Sequence, residues 1–196
     1  MAKKIAHELV EHGDKRIDNY YWMRLSDDQK NASPEQRDSV TQDVLDYLNA
    51  ENDYTRKALA HTEALQKKLF EEMKGRVKET DQSVPVKRNG YWYYTRFEAG
   101  KDYAFYCRKK GNLESGTEEI LIDGPAMAAG HDYWALGGLG VSDDNQLMVY
   151  SEDKVSRRIY NASFRNLTTG QILNDKIEGI AGCPVWANDN KSFDVQ

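Results

Sequence analysis

Two segments of the sequence repeat one pattern. The stretch VSDDNQLMVYSED, in which a short polar turn precedes an apolar strand, returns as VWANDNKSFDVQ near the end of the chain. Asp144-Asn145 in the first copy corresponds to Asp189-Asn190 in the second, 45 positions later. The first copy continues into further strands, whereas the second extends to the last residue of the sequence, Gln196. This repeat constrains the fold strongly, because units of such a length bury their apolar faces by stacking on one another.

The region that contains the repeat has the alternation of β-strands. After Asp81, apolar and polar residues alternate with a period of two. Gly100 marks a hairpin turn and Gly170 a second tight turn between strands. The predicted strands are 91–97, 103–109 and 118–123, followed by LMVYSE and IYNASFRNL. We therefore expect an all-β region of short strands from residue 84 onward.

A period near 45 residues with about four strands per unit is typical of the blades of a β-propeller. The first blade is predicted at 84–125, the second at 134–175 and the start of a third from 176. A β-sandwich would also contain short strands, but it need not repeat.

The residues before this region have helical periodicity. Apolar residues recur at helical spacing and predict two amphipathic helices, at 40–60 and 62–78. Ser39 or Thr41 is expected to cap the first helix, and Thr62 the second, because short hydroxyl side chains accept hydrogen bonds from free N–H groups at helix starts.

Composition excludes several classes of protein. The 196 residues are 39% apolar, which is enough for a core, and the net charge of −5 argues against a nucleic-acid partner. No apolar run is long enough for a membrane span or a signal peptide, so we expect no membrane partner and a cytoplasmic location. Cys107 and Cys183 are few and far apart, and we expect reduced thiols.

The sequence contains no catalytic or metal-binding motif. It lacks G-x-S-x-G, a P-loop, H-E-x-x-H and paired C-x-x-C. The four histidines are not at metal-ligand spacing: His7, His12, His61 and His131. His131 follows Gly130 and precedes an acid and two aromatics, so it could act as a general base, but a loop histidine is the favoured interpretation. We predict no catalytic, cofactor-binding or metal-binding residue and no cofactor.

Three further patterns have structural interpretations. The glycines of 135–142 resemble a phosphate loop, yet their strand context favours packing. Carboxylate pairs such as Asp143-Asp144 are explained by turns and helix surfaces. The segment 152–158 could form a local ion-pair cluster or an anion site, and a solvated turn between strands is favoured.

Five blocks in one order resemble a known family. They are HGDKRIDNYYWMR (12–24), VLDYLNAENDYT (44–55), YWYYTRFEAGKDYAFYCRK (91–109), SRRIYNASFRNLTTG (156–170) and VWANDN (185–190). Together they resemble the prolyl oligopeptidase family of serine peptidases and, within it, the oligopeptidase B group. The stretch 25–42 is longer than the corresponding link in the family, and Pro125 stands where the family tends to have Asn.

The resemblance implies an architecture. Family members have a seven-bladed β-propeller inserted into an α/β-hydrolase domain. In this chain, 1–80 would be the N-terminal arm and two helices that pack on the hydrolase domain, and 81–196 a partial propeller of about two blades plus the start of a third. The fold class expected is mainly β with an N-terminal helical pair. The family's catalytic triad lies in the later hydrolase part, so no catalytic residue is carried over to this sequence.

The resemblance also implies an activity. Such enzymes cleave short peptides after Lys or Arg without a cofactor. The partners expected are therefore short basic peptides and the C-terminal hydrolase domain. This chain alone is expected to have no catalytic activity. A stand-alone propeller-like module that binds proteins through exposed strand edges is the alternative. A remnant of a degraded gene, or a chain shortened on purpose, is a weaker one.

The aromatic cluster of the N-terminal arm has two interpretations. Tyr20, Tyr21 and Trp22 would anchor the arm to the hydrolase domain in the family architecture. Alternatively, they are buried against the chain's own helices. The first is favoured, because aromatic and Arg residues suit such interfaces.

Overall fold

The computed structural model describes residues 1–195, and the chain forms two compact units. The first is Met1–Arg76 and the second begins at Val77. The first unit contains β1 (His7–Glu11), β2 (Asp14–Asp18), α1 (Asp27–Asn31), α2 (Ser39–Leu59) and α3 (Glu63–Gly75), with 3-10 turns at Tyr21–Met23, Pro34–Gln36 and Ala60–Thr62.

The two long helices confirm the predicted pair, with corrected ends. Asp38 caps α2, since its carboxylate accepts the N–H of Thr41 at 2.7 Å. The predicted caps Ser39 and Thr41 are wrong because Ser39 is already the first helical residue. Thr62 does precede α3, but its hydroxyl donates to the carbonyl of Leu59 at 2.7 Å instead of capping an N–H.

A hairpin in the N-terminal segment is absent from the sequence-based prediction. Strands β1 and β2 pair antiparallel around a turn at His12 and Gly13, whose φ angles of 52° and 82° are left-handed. Most side chains on both strands are exposed, and Lys15 and Glu8 form an ion pair across them at 2.9 Å. Because neither face is buried, the sequence has no alternating pattern that would predict these strands.

The second unit contains two four-stranded antiparallel sheets and a short hairpin. Its elements are β3 (Val86–Arg88), β4 (Tyr91–Arg96), β5 (Phe105–Lys110), β6 (Glu118–Asp123), α4 (Gly124–Ala128), β7 (Ala135–Val141), β8 (Leu147–Asp153), β9 (Tyr160–Asn166), β10 (Ile172–Ile180), β11 (Val185–Trp186) and β12 (Phe193–Asp194). The sheets have the orders β3-β4-β5-β6 and β7-β8-β9-β10, and β11 pairs with β12. The strands predicted at 91–97, 103–109 and 118–123 are confirmed within two residues.

The boundary between the second and third repeats differs from the prediction. Strand β10 extends to Ile180, and the third hairpin begins only at Val185. The predicted start at 176 is wrong because Lys176 and Ile177 pair with β9. Register shifts interrupt the pairing on both sides of these residues, and Gly179 has a left-handed φ of 73°. This irregularity removes the alternation that marks a regular strand.

One apolar layer lies on each side of the second sheet. The layer between the first and second sheets is formed by buried Leu121, Ile122, Trp134, Met148 and Tyr150. The layer between the second sheet and the third hairpin contains buried Val149, Ala162, Phe164 and Ile180, with Trp186 packed against it. Met148 and Val149 are neighbours on β8 that face opposite layers, as the period of a strand requires. The predicted face-to-face packing of the first two sheets is confirmed.

The link between these sheets contains a short helix that the sequence did not predict. Asp123 accepts the N–H of Ala126 at 2.9 Å and caps α4, and Pro125 occupies its first turn, where the missing N–H has no intrahelical partner. Pro125 therefore suits a helix start at this position.

Candidate functional site

Each repeat of the second unit has the same turn after its first strand. Asn89, Asn145 and Asn190 lie in these turns with φ of 46°, 63° and 58°. Asparagine tolerates this left-handed conformation better than most residues with a side chain. Asp144-Asn145 and Asp189-Asn190 thus occupy equivalent positions in their turns. Asn89 occupies the same position in the first repeat, which the sequence did not reveal.

These turns are bonded to one another across the repeats. The Asn145 amide donates to the carbonyl of Asn89 at 3.0 Å, and the hydroxyl of Tyr93 donates to Asn145 Oδ1 at 3.3 Å. On the other side, the backbone N–H of Asp144 donates to Asn190 Oδ1 at 3.1 Å. The first turns therefore form a continuous polar chain through three repeats.

The carboxylates at these turns have structural partners. Asp143 accepts from the Arg88 guanidinium at 3.0 Å and from the Asn89 amide at 2.9 Å, and these bonds, that of Arg88 first, lower its pKa. The hydroxyl of Ser142 donates to Asp144 at 2.6 Å and is the largest cause of the lowered pKa of that carboxyl. The turn interpretation of Asp143-Asp144 is confirmed.

The glycines of β7 are required by close packing. A Cβ on Gly137 would lie 2.5 Å from the ring of Tyr160 and 2.6 Å from the hydroxyl of Ser151. A Cβ on Gly138 would overlap the Cβ of Cys183. The packing interpretation of 135–142 is confirmed, and Cys107 and Cys183 are free thiols.

The segment 152–158 forms the turn between β8 and β9 around a buried carboxylate. Asp153, 1% exposed, accepts backbone N–H groups from Val155, Ser156, Arg157 and Arg158 at 2.8–3.0 Å. Burial alone would raise the pKa of Asp153, but these four hydrogen bonds hold it below its usual value. The solvated-turn prediction is confirmed for the exposed residues of this turn, and its backbone is fixed by one buried acid.

Each of the four histidines has its own local surroundings in the described residues. His131 is exposed after α4, as expected for a loop position, and His12 lies in the β1–β2 turn. His61 contacts the carbonyl of Ala58 at 3.1 Å, and the ring of His7 stacks on Tyr21 with centroids 3.9 Å apart. Between residues 1 and 195, no group of three His, Cys, Asp or Glu side chains has the geometry of a metal site.

Four serines illustrate the surroundings of the hydroxyl groups in the described residues. Ser83 accepts the N–H of Thr95 at 2.9 Å, whereas the buried hydroxyl of Ser151 has no hydrogen-bond partner. Ser39 begins α2 and Ser163 lies on β9. In the described part of the chain, no hydrogen bond joins a serine to a histidine.

The aromatic cluster of the first unit contacts α2 in part. Trp22 meets Tyr47 edge to face at 6.3 Å, and its indole N–H donates to the carbonyl of Lys3 at 3.0 Å. Lys3 also forms an ion pair with Asp43. Packing against the chain's own helix thus accounts for one side of Trp22.

Tyr20 lies at the edge of an open groove in the same unit. The groove encloses about 910 Å³ and is lined by Tyr20, Met23, Tyr47, Tyr54 and Glu51, with Met1, Ala2, Lys4 and Ala50. Tyr20 is 44% exposed and Tyr54 70% exposed. The Glu51 carboxylate accepts from the Tyr47 hydroxyl and raises its pKa. This surface can bind apolar and aromatic groups, and its lining contains no serine or cysteine.

The helices of the first unit expose further apolar side chains. Leu65, Leu69, Phe70 and Met73 on α3 are 46–61% exposed. Thr41 and Val44 are the buried residues among the described positions of this unit. Large exposed apolar surfaces of this kind mark interaction sites.

The second unit has the construction of a propeller-type repeat protein. Four-stranded antiparallel sheets, each with consecutive strands adjacent, stack face to face through apolar layers and are joined at equivalent turns. No helix within residues 1–195 is long and apolar enough to cross a membrane.

Comparison with known proteins gives the family. Residues 1–194 match the family model described as prolyl oligopeptidase, N-terminal beta-propeller domain. The chain belongs to this family.

Among its relatives, dipeptidyl aminopeptidase BI of Pseudoxanthomonas mexicana is 36% identical over 98% of this chain, and protease 2 of Moraxella lacunata is 28% identical over 92%. The chain spans about a quarter of their lengths, 27% and 25% respectively. The solved structure of oligopeptidase B from Leishmania major is similar with a TM-score of 0.80 and 28% identity, covering 94% of this chain and 27% of that one.

Proposed function

We propose that the chain is the N-terminal, propeller-containing part of a serine endopeptidase that hydrolyses short peptides after Lys or Arg. The observation that carries the proposal is the family match over residues 1–194, supported by the similarity to a solved oligopeptidase B. The chain is proposed to be silent alone, because the sequence has no nucleophile elbow and the family resemblance puts the triad in the part that follows the propeller.

The activity of the whole protein would follow the serine-peptidase mechanism. An activated serine attacks the peptide carbonyl and forms an acyl-enzyme, while N–H donors stabilise the oxyanion. The residues of this chain would contribute a frame that screens substrates by size. The apolar layers on both faces of the second sheet and the bonded turns support this role, since they make the first blades a stiff stack.

The first unit is proposed to pack on the remaining part of the protein. The groove around Tyr20, Tyr47 and Tyr54 is open, and so is the apolar face of α3. The described part of this unit has only two buried residues, so it has little core of its own. Burying a side chain such as Phe70 contributes about 1.5–3 kcal/mol. Short basic peptides remain the proposed substrates. A cytoplasmic location remains a prediction.

Activity assays test the proposal directly. The purified chain should neither cleave Arg- or Lys-containing peptide amides nor react with a serine-directed phosphonate. The chain extended to the full length of its relatives, or co-expressed with the missing portion, should cleave short peptides after Lys or Arg and leave folded proteins intact. Stoichiometric phosphonate labelling of the 196-residue chain alone would contradict the proposal that it has no catalytic serine of its own.

A second candidate activity is the release of dipeptides. It is favoured by one observation, the relative at 36% identity whose name is dipeptidyl aminopeptidase BI. Peptides with blocked and free N-termini distinguish the two, since an aminopeptidase requires the free amine and an endopeptidase cleaves both. If the full-length protein cleaves neither, the non-enzymatic interaction module becomes the better proposal.

A further inference from the structure

A charged pair lies on the face of the first sheet that packs on the second. Arg108 on β5 is 2% exposed, and its guanidinium donates to the Glu119 carboxylate on β6 at 2.7 and 3.0 Å. The guanidinium lies over the ring of Tyr91, 4.1 Å from its centroid. Tyr93 is directly opposite Arg108 on β4, and its hydroxyl donates to Asn145 in the second repeat at 3.3 Å. Because residues opposite one another share a face, Arg108 and Glu119 also point toward the second sheet.

The cost of burial means that this pair adds little stability. Removing a guanidinium from water is unfavourable, and a carboxylate offsets that cost only when the remaining N–H groups are also satisfied. In the described part of the chain, the Nη1 nitrogen of Arg108 is buried and has no hydrogen bond. The Glu119 side chain is 40% exposed, so water screens its attraction for Arg108. Apolar side chains of similar size at these two positions would avoid these costs.

A second arginine crosses the same interface. Arg165 on β9 donates through Nη1 to the backbone carbonyl of Leu121 on β6 at 3.0 Å. The pairing of β6 with β5 passes from Ile120 to Ile122, so Leu121 is the extra residue of a β-bulge. Such a residue is left unpaired in the ladder, and the second sheet supplies a donor to it. The Nε nitrogen of Arg165 is buried without a hydrogen bond to any described residue, so this contact also has a cost.

Both faces of the second sheet are apolar, so burial alone does not decide which face covers the first sheet. One face contributes buried Met148 and Tyr150 to the layer between the two sheets, and the other contributes buried Val149 and Phe164 to the next layer. Arg165 follows Phe164 on β9 and therefore belongs to the face of Met148. A reversed second sheet would keep an apolar contact, but it would present Phe164 in place of Arg165.

We propose that these polar groups select which face of the second sheet packs on the first, while the apolar layer supplies the stability. In the observed arrangement, the Leu121 carbonyl and the Tyr93 hydroxyl both have partners from the second repeat. In the reversed arrangement, Leu121 would lose its donor and the Arg108–Glu119 pair would lie against an apolar face, which raises the free energy of that arrangement. All of these groups lie between two sheets that the structure describes. The inference therefore depends neither on the remaining part of the protein nor on the proposed peptidase activity.

Replacement of the charged side chains by methionine tests the proposal. The variant R108M/E119M/R165M keeps unbranched side chains at these positions and removes their polar groups. We expect its midpoint of chemical denaturation to equal or exceed that of wild type, because no guanidinium is then buried at this interface.

The same variant should lose its unique packing, which fluorine NMR of the purified chain labelled with fluorotryptophan detects. Trp134 is the probe, since it is buried in the layer between the two sheets and its indole donates to Glu152 at 2.8 Å. Its resonance is assigned by substitution of single tryptophans. It should be single in wild type and split in R108M/E119M/R165M.

The matched control removes the same charges from the opposite face of the first sheet. Arg96, Lys109 and Glu118 alternate with the residues that face the second sheet. The variant R96M/K109M/E118M takes away the carboxylate that accepts the hydroxyl of buried Tyr94 at 2.5 Å. It should therefore have a lower midpoint but a single Trp134 resonance, the reverse of the result expected for the interface variant.

Three outcomes would overturn the proposal. A single Trp134 resonance in R108M/E119M/R165M would show that the charges do not select the packing. A lower midpoint, or failure of this variant to fold, would show that they serve stability. A split resonance in the control would show that any loss of charge from the first sheet disturbs the layer.

Discussion

At the scale of single residues, the three turn asparagines show what a repeat pattern can reveal and what it hides. Asn145 and Asn190 are 45 positions apart and were detectable as a pair in the sequence. Asn89 occupies the same left-handed position, but it precedes Asn145 by 56 positions because α4 and longer loops lie between them. Period analysis alone therefore misses the first member, although its side chain and carbonyl bond to the second repeat.

The packing glycines of β7 make a prediction at the same scale. The variant G137A should be destabilised by about 1–3 kcal/mol, because its Cβ would meet the Tyr160 ring at 2.5 Å and Ser151 at 2.6 Å. Chemical denaturation of the purified protein measures the change. Gly182 is the matched control, since a Cβ there has no neighbour within 4 Å and its φ is not left-handed. Equal stability of G137A and wild type would contradict the packing role.

At the scale of elements, alternation predicted the strands that bury a face and missed those that do not. Strands β4, β5 and β6 were predicted because apolar residues such as Phe105 and Cys107 alternate toward one side. The exposed hairpin β1–β2 carries no such signal. Helix α2 was predicted from periodicity, but its cap at Asp38 was not. Asp38, Ser39 and Thr41 are all residue types that cap helices, and only the structure shows that the helix begins after Asp38.

The third hairpin should be sensitive to acid through Asp189. This carboxylate accepts the N–H groups of Ser192 and Lys191, which lower its pKa from 3.8 to about 2. Because the folded pKa is the lower one, the stabilisation is complete above about pH 4 and is lost as the pH falls toward about 2. The indole N–H of Trp186, which donates to Gly140 at 3.1 Å, should lose hydrogen-exchange protection in that window when followed by NMR.

Two comparisons make this prediction specific. The indole of Trp92 donates to Gly111 in the first sheet and serves as an internal reference that should keep its protection longer. The variant D189N should lower protection of Trp186 at neutral pH and remove its dependence on acid. Parallel loss at both indoles would show global unfolding instead of a local effect of Asp189.

At the scale of the whole molecule, the two units differ in how much apolar surface they bury. The second unit has two layers with fully buried residues such as Met148 and Val149, and the sequence predicted this stacking from the repeat. The first unit has apolar helices whose faces stay open. Periodicity predicts that a helix has an apolar face, but it does not identify the surface that covers the face, so the groove at Tyr20 could not be located from sequence.

The exposed apolar face of α3 leads to a prediction about association. We expect the 196-residue chain to self-associate with rising concentration, because Leu69, Phe70 and Met73 expose 46–61% of their surface and strand edges such as β10 are open. The variant L69E/M73E places charges one helical turn apart on this face and should shift the chain toward monomer. Analytical ultracentrifugation over a range of concentrations measures the distribution.

The control variant K67E/K68E also adds acidic residues to α3, but at its polar positions, and it should leave self-association unchanged. If both variants reduce association equally, general charge repulsion and not the apolar face explains the effect. If L69E/M73E has no effect while association persists, the strand edges become the responsible surface. The prediction is contradicted if the protein sediments as a monomer and unfolds in a sharp transition that does not depend on concentration. The chain would then fold independently with the apolar face of α3 exposed.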